Sequence, residues 1–265
     1  MRTLSFRDKL VLVTGASSGL GRNLARRLAI HEGAHLVVAA RRLERLQELK
    51  EEIEAQCPSR VTPVEVDLSR ESAPRYLLEK ADELGDLFAV VNNAGVTRWG
   101  PTEAFSWEEY KNLFQINALA PIEIIQRLLP RFLSRGSGAF LSITSEAALF
   151  PIPYQNAYAA SKHAIHVFTE ALATEVRGSG IYVTAFAPGG IRTEMVEKSG
   201  LVEKFPMRSP VLMDPDVVAA QAVRALKRRR VSAIPGLANR IQASLLKLVP
   251  RPARRAIIAG FYRPK

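Results

Sequence analysis

The stretch "LVLVTGASSGLGRNLARRLAI", residues 10–30, decides the fold. Four apolar residues and a threonine read as a short buried strand, 10–14, and a helix follows at 20–31. Between them lies Thr14-Gly15-Ala16-Ser17-Ser18-Gly19-Leu20-Gly21. Glycines at such a turn let the chain reverse tightly, and they let backbone N–H groups approach a diphosphate at the helix N-terminus. The spacing is GxxxGxG and no GK[ST] follows, which excludes a nucleoside-triphosphate loop.

Outward from this unit the pattern repeats. Strands are expected at 35–40, 61–66, 87–92, 139–144, 181–187 and 231–234. Helices are expected at 43–56, 71–84, 107–133, 156–177 and 214–227. Continuous apolar strands separated by crossover helices make a parallel sheet buried on both faces. Right-handed crossovers make it doubly wound. The expected architecture is α/β: about seven strands, helices on both faces, and an extra basic helical tail. Residues 1–236 form the catalytic domain in this reading, with 191–213 as a lid, and 237–265 are an extension.

Length and composition suit one large α/β domain or two small ones. The chain has 265 residues, 47% of them hydrophobic, and a formal net charge of +11. From Arg224 onward there are 12 basic residues and no acidic ones, leaving 25 basic against 26 acidic in the body. The high positive charge therefore belongs to the tail. Cys57 is the single cysteine; the four histidines, His31, His35, His163 and His166, are scattered, and the pair His163 and His166 on one helix face has no acidic third ligand at a suitable spacing. No metal site is expected. There is no long apolar span and no signal-like start, so the expected setting is cytoplasmic.

A second motif carries chemistry. "AYAASKHA", 157–164, places Tyr158 and Lys162 one helical turn apart on one face. A phenol near pKa ~10 is a poor acid at neutral pH, and a neighbouring ammonium lowers that value.

With these motifs in order, the chain resembles the short-chain dehydrogenase/reductase family in its single-domain form, over roughly residues 5–235. The resemblance implies a Rossmann fold. In the family the glycine turn binds the cofactor diphosphate, here through Gly15, Ser17, Ser18, Gly19, Leu20 and Gly21. Asp67 and Leu68 match the pair beside the adenine, and Asn93, Ala94 and Gly95 belong to an NNAG motif, Asn92 to Gly95. Pro188, Gly189, Ile191 and Thr193 match the element around the nicotinamide. The implied catalytic tetrad is Asn117, Ser145, Tyr158 and Lys162. Ser145 stands thirteen residues before the tyrosine, the family spacing. Tyr158 would give a proton, Ser145 would hold the carbonyl oxygen, Asn117 would hold a water, and Lys162 would also bond the nicotinamide ribose. Two departures are visible: "LAIHEGAH" carries one residue more than usual, and Ala120 replaces a frequent glycine.

Cofactor choice is read at the end of the second strand. "VVAARRLERL" has Arg41 and Arg42 and no acid there. Arginine pairs with a 2′-phosphate, whereas an acid accepts from a 2′-hydroxyl, so NADP(H) is expected. A merely solvated basic helix start is the weaker reading, because cations at a helix N-terminus oppose its dipole.

Substrate loops are mainly apolar: Leu149, Phe150, Ile152, Tyr154, Met195, Leu201, Phe205 and Met207. The expected substrate is a hydrophobic carbonyl compound or alcohol, handled by an NADP(H)-dependent oxidoreductase. A 3-oxoacyl thioester reductase and a non-catalytic NADP-binding protein are the alternatives. A homodimer or homotetramer is expected. In the tail, Leu237, Ile241, Leu245 and Leu248 fall at helical spacing. That stripe either packs on the body or a partner subunit, or lies on an anionic membrane surface as a peripheral contact. Aromatic residues are not interleaved with the basic ones, so nucleic-acid binding is not expected.

Overall fold

The structure, a computed structural model, describes residues 4–203 and 205–263. Residues 1–3, 204 and 264–265, which belong to the expected domain, lid and tail, lie outside the described residues. Seven parallel strands form one sheet in the order β3-β2-β1-β4-β5-β6-β7. They are β1 (Leu10–Thr14), β2 (His35–Ala40), β3 (Val61–Glu65), β4 (Leu87–Asn92), β5 (Gly138–Ile143), β6 (Ile181–Phe186) and β7 (Ser232–Ala233). The helices between them are α1 (Gly19–Arg26), α2 (Leu43–Glu54), α3 (Ala73–Asp82), α4 (Trp107–Phe114), α5 (Ala120–Arg135), α6 (Asn156–Glu175), α7 (Glu194–Lys198) and α8 (Pro215–Lys227). The doubly wound architecture expected above is the one found.

Strand pleating divides the core. Val11 and Val13 point into one layer with Leu24, Leu46 and Val223, while Leu12 joins Leu77, Ile124 and Phe140 in the other. Each fully buried leucine or phenylalanine contributes ~1.5–3 kcal/mol. The order of strands reverses between β1 and β4, so a crevice opens at their carboxyl ends. All the cofactor motifs gather there.

Two helices depart from simple periodicity, each by a π-turn. The first spans Arg27–His31 at the end of α1. It falls in the connection with one residue too many, and a π-turn absorbs one inserted residue without ending the helix. The second spans Gln115–Leu119 between α4 and α5 and carries Asn117.

The tail forms α9 (Leu237–Leu248) and α10 (Arg251–Tyr262), separated at Pro250. Its packing corrects the expectation that the stripe packs on the body; it does not bear on a partner subunit or a membrane surface. Ala243 and Ile258 are buried with Phe150, Ile152 and Ala159, and Leu246 packs at the edge. The small Ala243 lets α9 approach closely. Leu237, Ile241, Leu245 and Leu248 face away from the body and are 50–80% exposed. Among the described residues, no helix is long and apolar enough to cross a membrane.

Candidate active site

At the cofactor end, the hydroxyl of Thr14 accepts from the backbone N–H of Asn93 at 3.0 Å and of Ala94 at 3.1 Å. The Asn93 side-chain amide donates to the Thr14 carbonyl at 3.0 Å and the Gly15 carbonyl at 3.3 Å. These bonds tie the ends of β1 and β4 together at the reversal point. A Cβ at Gly21 would stand 2.2 Å from the Gly15 carbonyl oxygen, so no other residue fits. Gly19 has φ +53 and a virtual Cβ 2.9 Å from the Thr193 methyl. The turn thus presents bare backbone at the start of α1, whose first turn holds no acid. Such a cradle fits a diphosphate.

Beside it, Arg42 donates to Ser18 Oγ at 2.9 Å and Ser17 Oγ at 3.2 Å. It also pairs at 2.9 Å with Glu194 of α7 in the expected lid. Arg45 and Lys198 converge on the same carboxylate. Lys198, then Arg45, then Arg42 hold the Glu194 carboxyl down at about 2. Arg41 is exposed at the rim of the cleft. Asp67 and Leu68 line the same cleft, with Asp67 Oδ1 accepting from the Ser69 N–H at 3.1 Å. The Arg45, Glu194 and Lys198 members of this cluster were not foreseen, since α7 and α2 are far apart in sequence.

At the catalytic end, β5 delivers Ser145 and α6 delivers Tyr158 and Lys162. The Ser145 hydroxyl and the Tyr158 phenol line the same wall of the cleft. Ser145 Oγ accepts from the Ala147 N–H at 3.1 Å, capping the short turn at Glu146–Ala148. Burial raises the phenol above its ordinary value, and the Ser145 hydroxyl pulls it partly back. Lys162, buried under Gly95, donates to the Ile143 carbonyl at 3.0 Å, and burial lowers it to about 8. Asn117 Oδ1 accepts from the Val96 N–H at 2.8 Å, and its amide donates to the Val96 carbonyl at 2.9 Å and Ser161 Oγ at 3.0 Å. Its side chain therefore pins the loop after β4.

All four expected tetrad members lie within one region, and the cleft of about 700 Å³ joins Ser145, Tyr158 and Lys162 to the glycine turn and to Pro188, Gly189, Ile191 and Thr193. The substrate walls differ from expectation. Met195, Leu201 and Phe205 line the cleft, whereas Phe150 and Ile152 are covered by the tail. The tail itself supplies Asn239, Gln242, Phe261 and Tyr262. Phe205 meets Phe261 in a tilted contact and Tyr262 edge-on, with centroids 5.3 and 6.2 Å apart, and Trp99 donates to the Tyr262 carbonyl at 2.8 Å. Glu146 also lines the cleft, and its position next to Ser145 is the one signal of this in the sequence.

A crevice at the strand reversal, a diphosphate cradle and a hydroxyl pair over the opening define a nucleotide-binding oxidoreductase architecture. The family model for the short chain dehydrogenases matches residues 9–203, and the chain belongs to that family. A short chain dehydrogenase of Pseudocercospora fijiensis is 37% identical over 190 residues, which make up 71% of this chain and 61% of that protein. The chain therefore spans less than two thirds of that relative. Ketoacyl reductase HetN of Nostoc sp. is 31% identical over 253 residues, 94% of this chain and 85% of that one. The solved structure of a short-chain dehydrogenase from Sphingobium yanoikuyae in complex with NADPH has a TM-score of 0.80 at 27% identity, covering 92% of this chain and 97% of that one.

Proposed function

We propose that the protein reduces the carbonyl group of a hydrophobic ketone or aldehyde with NADPH, or runs the reverse oxidation. The observation that carries this reading is the convergence of Ser145, Tyr158 and the buried Lys162 on the wall of the cleft that begins at the glycine turn. When bound, the cofactor supplies a hydride to the carbonyl carbon. The carbonyl electron pair then moves to oxygen, and that oxygen needs a hydrogen-bond donor and a proton. Ser145 is placed to hold it and Tyr158 to protonate it. Lys162 would bond the ribose and favour the phenolate left behind. Asn117 keeps the loop of Asn93, Ala94 and Gly95 in register with the glycine turn.

Preference for NADPH is supported by Arg42, with Arg41 and Arg45 beside it, and by the absence of acid at the end of β2. The Sphingobium enzyme is described with NADPH, in agreement. Following NADPH absorbance across a panel of apolar ketones and aldehydes tests the proposal, and no turnover of any member would overturn it. A 3-oxoacyl thioester is the second reading, favoured by the name of the Nostoc relative. Turnover of acetoacetyl thioesters well above that of simple ketones would select it.

For partners, exposed Leu119, Leu133 and Val167 on and beside α5 and α6 support self-association through that side, as a dimer or tetramer. The outward face of α9 and α10 supports a different contact. Its apolar row is rimmed by exposed Arg240, Lys247, Arg251, Arg255 and Arg263, with no acidic residue after Asp216. Two copies meeting there would oppose like charges, whereas an anionic lipid surface complements them. Peripheral membrane contact in a cytoplasmic setting is therefore the proposal.

A further inference from the structure

The cleft contains a carboxyl group that the reduction does not use. Glu146 follows Ser145 directly, so its Cα lies ~3.8 Å from that of the residue placed to hold the carbonyl oxygen. Its backbone N–H is bound to the Pro188 carbonyl at 2.8 Å, which fixes the side chain between the catalytic serine and the Pro188-Gly189 element. The Oε1 atom is buried and has no hydrogen-bond partner among the described residues. The Oε2 atom lies near Gly189: a Cβ there would stand 3.1 Å from Oε2 and 3.0 Å from the Asn239 side-chain amide. Tyr262 closes the same corner from the tail, close enough for its phenol to be pushed up to about 12 by burial and by the charges of Tyr158 and Glu146.

A buried acceptor without a donor is costly, roughly 1–3 kcal/mol for a neutral group and more for a charged one. Such groups are retained where a ligand completes them. Among the described residues no cation pairs with this carboxyl; an amide, Asn239, and a phenol, Tyr262, stand near it. Burial raises the Glu146 carboxyl to about 7, so near neutrality it passes readily between a hydroxyl-donating acid and an accepting carboxylate. Its natural complement is a neutral group that both donates and accepts.

Resting on the carbonyl-reductase reading above, we propose that Glu146, framed by Asn239 and Tyr262, binds a hydroxyl group carried by the substrate beside its reacting carbonyl. The substrate class is then a hydroxyketone whose remaining surface is apolar. One hydride and one proton convert it, with NADPH, to the diol and NADP⁺. Glu146 is a specificity residue in this scheme. A site built to bond a substrate hydroxyl discriminates strongly against an analogue that lacks the donor.

The test uses aryl ketones bearing a hydroxyl one or two carbons from the carbonyl, each compared with its methyl ether. The ether keeps the electronic effect of the oxygen and removes the donor. In the wild-type protein the hydroxyketone should be favoured by roughly tenfold or more in kcat/KM. Its KM should fall as pH rises through about 7, where the carboxylate becomes the stronger acceptor. Glu146→Leu should collapse the preference, and Glu146→Gln should remove its pH dependence. NADPH binding shows whether Glu146→Leu has folded; if it has not, the pH profile of Glu146→Gln decides. Turnover of alcohol and ether alike by the wild-type protein overturns this inference and leaves the carbonyl-reductase reading standing. So does an equal loss for both substrates in the variants accompanied by weakened NADPH binding, which would make the cofactor the donor. No turnover of any ketone overturns both.

Discussion

At the scale of single residues, the site sets two hydroxyls and one amine against the cost of burial. Burial raises Tyr158 and lowers Lys162 to about 8, so each is pushed toward its neutral form. The Ser145 hydroxyl acts the other way on the phenol. Tyr158→Phe keeps the ring packing and deletes the proton donor. NADPH should still bind, measured by its fluorescence, while turnover drops by ~10²-fold or more. Near-normal turnover would remove Tyr158 from the chemistry. Glu146 allows a test independent of any substrate. Its carboxyl is raised from 4.5 to about 7 in the folded protein. Below 4.5 both folded and unfolded chains hold the proton. Between there and about 7 only the unfolded chain releases it, so stability is lost as pH rises through that window. Glu146→Gln removes the titration, and its Tm should exceed that of the wild-type protein at pH 8 and lose the advantage near pH 4. An equal offset at both values would show that the carboxyl titrates normally.

At the scale of elements, motifs confined to one strand–turn–helix unit were readable in the sequence, and contacts between distant units were not. The glycine turn, NNAG and the Ser–Tyr–Lys spacing each depend on local backbone geometry, so their residues stand where their order implied. Strand β1 and helix α2 begin where the apolar pattern begins. The Glu194 cluster shows the limit. It joins α2 to α7 across 149 to 152 residues, and loop charges carry no periodicity from which such a pairing could be read. Its consequences concern the cofactor. Arg41→Asp with Arg42→Ala should weaken NADPH by roughly one to two orders of magnitude and leave NADH little changed, since a charge-assisted phosphate contact contributes ~1.5–3 kcal/mol. Tighter binding of NADH than NADPH by the wild-type protein would refute that assignment. Glu194, held at about 2, stays ionised throughout the working range and competes with a 2′-phosphate for Arg42. Glu194→Gln should therefore tighten NADPH by up to ~1 kcal/mol, the scale of a part-exposed pair, with NADH unaffected. Equal changes for both nucleotides in titration calorimetry would assign Glu194 to the lid alone.

At the scale of the whole molecule, the basic tail has two faces with different tasks. The inner face closes the cleft through Tyr262 and buries Ala243 and Ile258 over Phe150. Periodicity alone located the two helices and the break at Pro250, yet it left open whether the larger residues turn inward or outward. Close approach to the body selects small residues, and that choice is made by the surface met, which no single helix encodes. The outer face consequently keeps Leu237, Ile241, Leu245 and Leu248 in water, and Ile257 of α10 is exposed as well. An apolar row of this length is costly unless something covers it. Its cationic rim predicts the cover: with a nearly neutral body, attraction to an anionic surface must come from the tail. The full chain should co-sediment with phosphatidylserine vesicles at low salt and dissociate as the Debye length shrinks from ~30 Å at 0.01 M to ~10 Å at 0.1 M. Ile241→Asp with Leu245→Asp alters exposed positions alone, so the fold and NADPH binding should survive while vesicle binding is lost. Binding that persists in this variant would make the attraction purely electrostatic. If the wild-type protein ignores the vesicles, and the same variant converts a larger oligomer to a smaller one in light scattering, the face is a subunit contact and the membrane proposal is wrong.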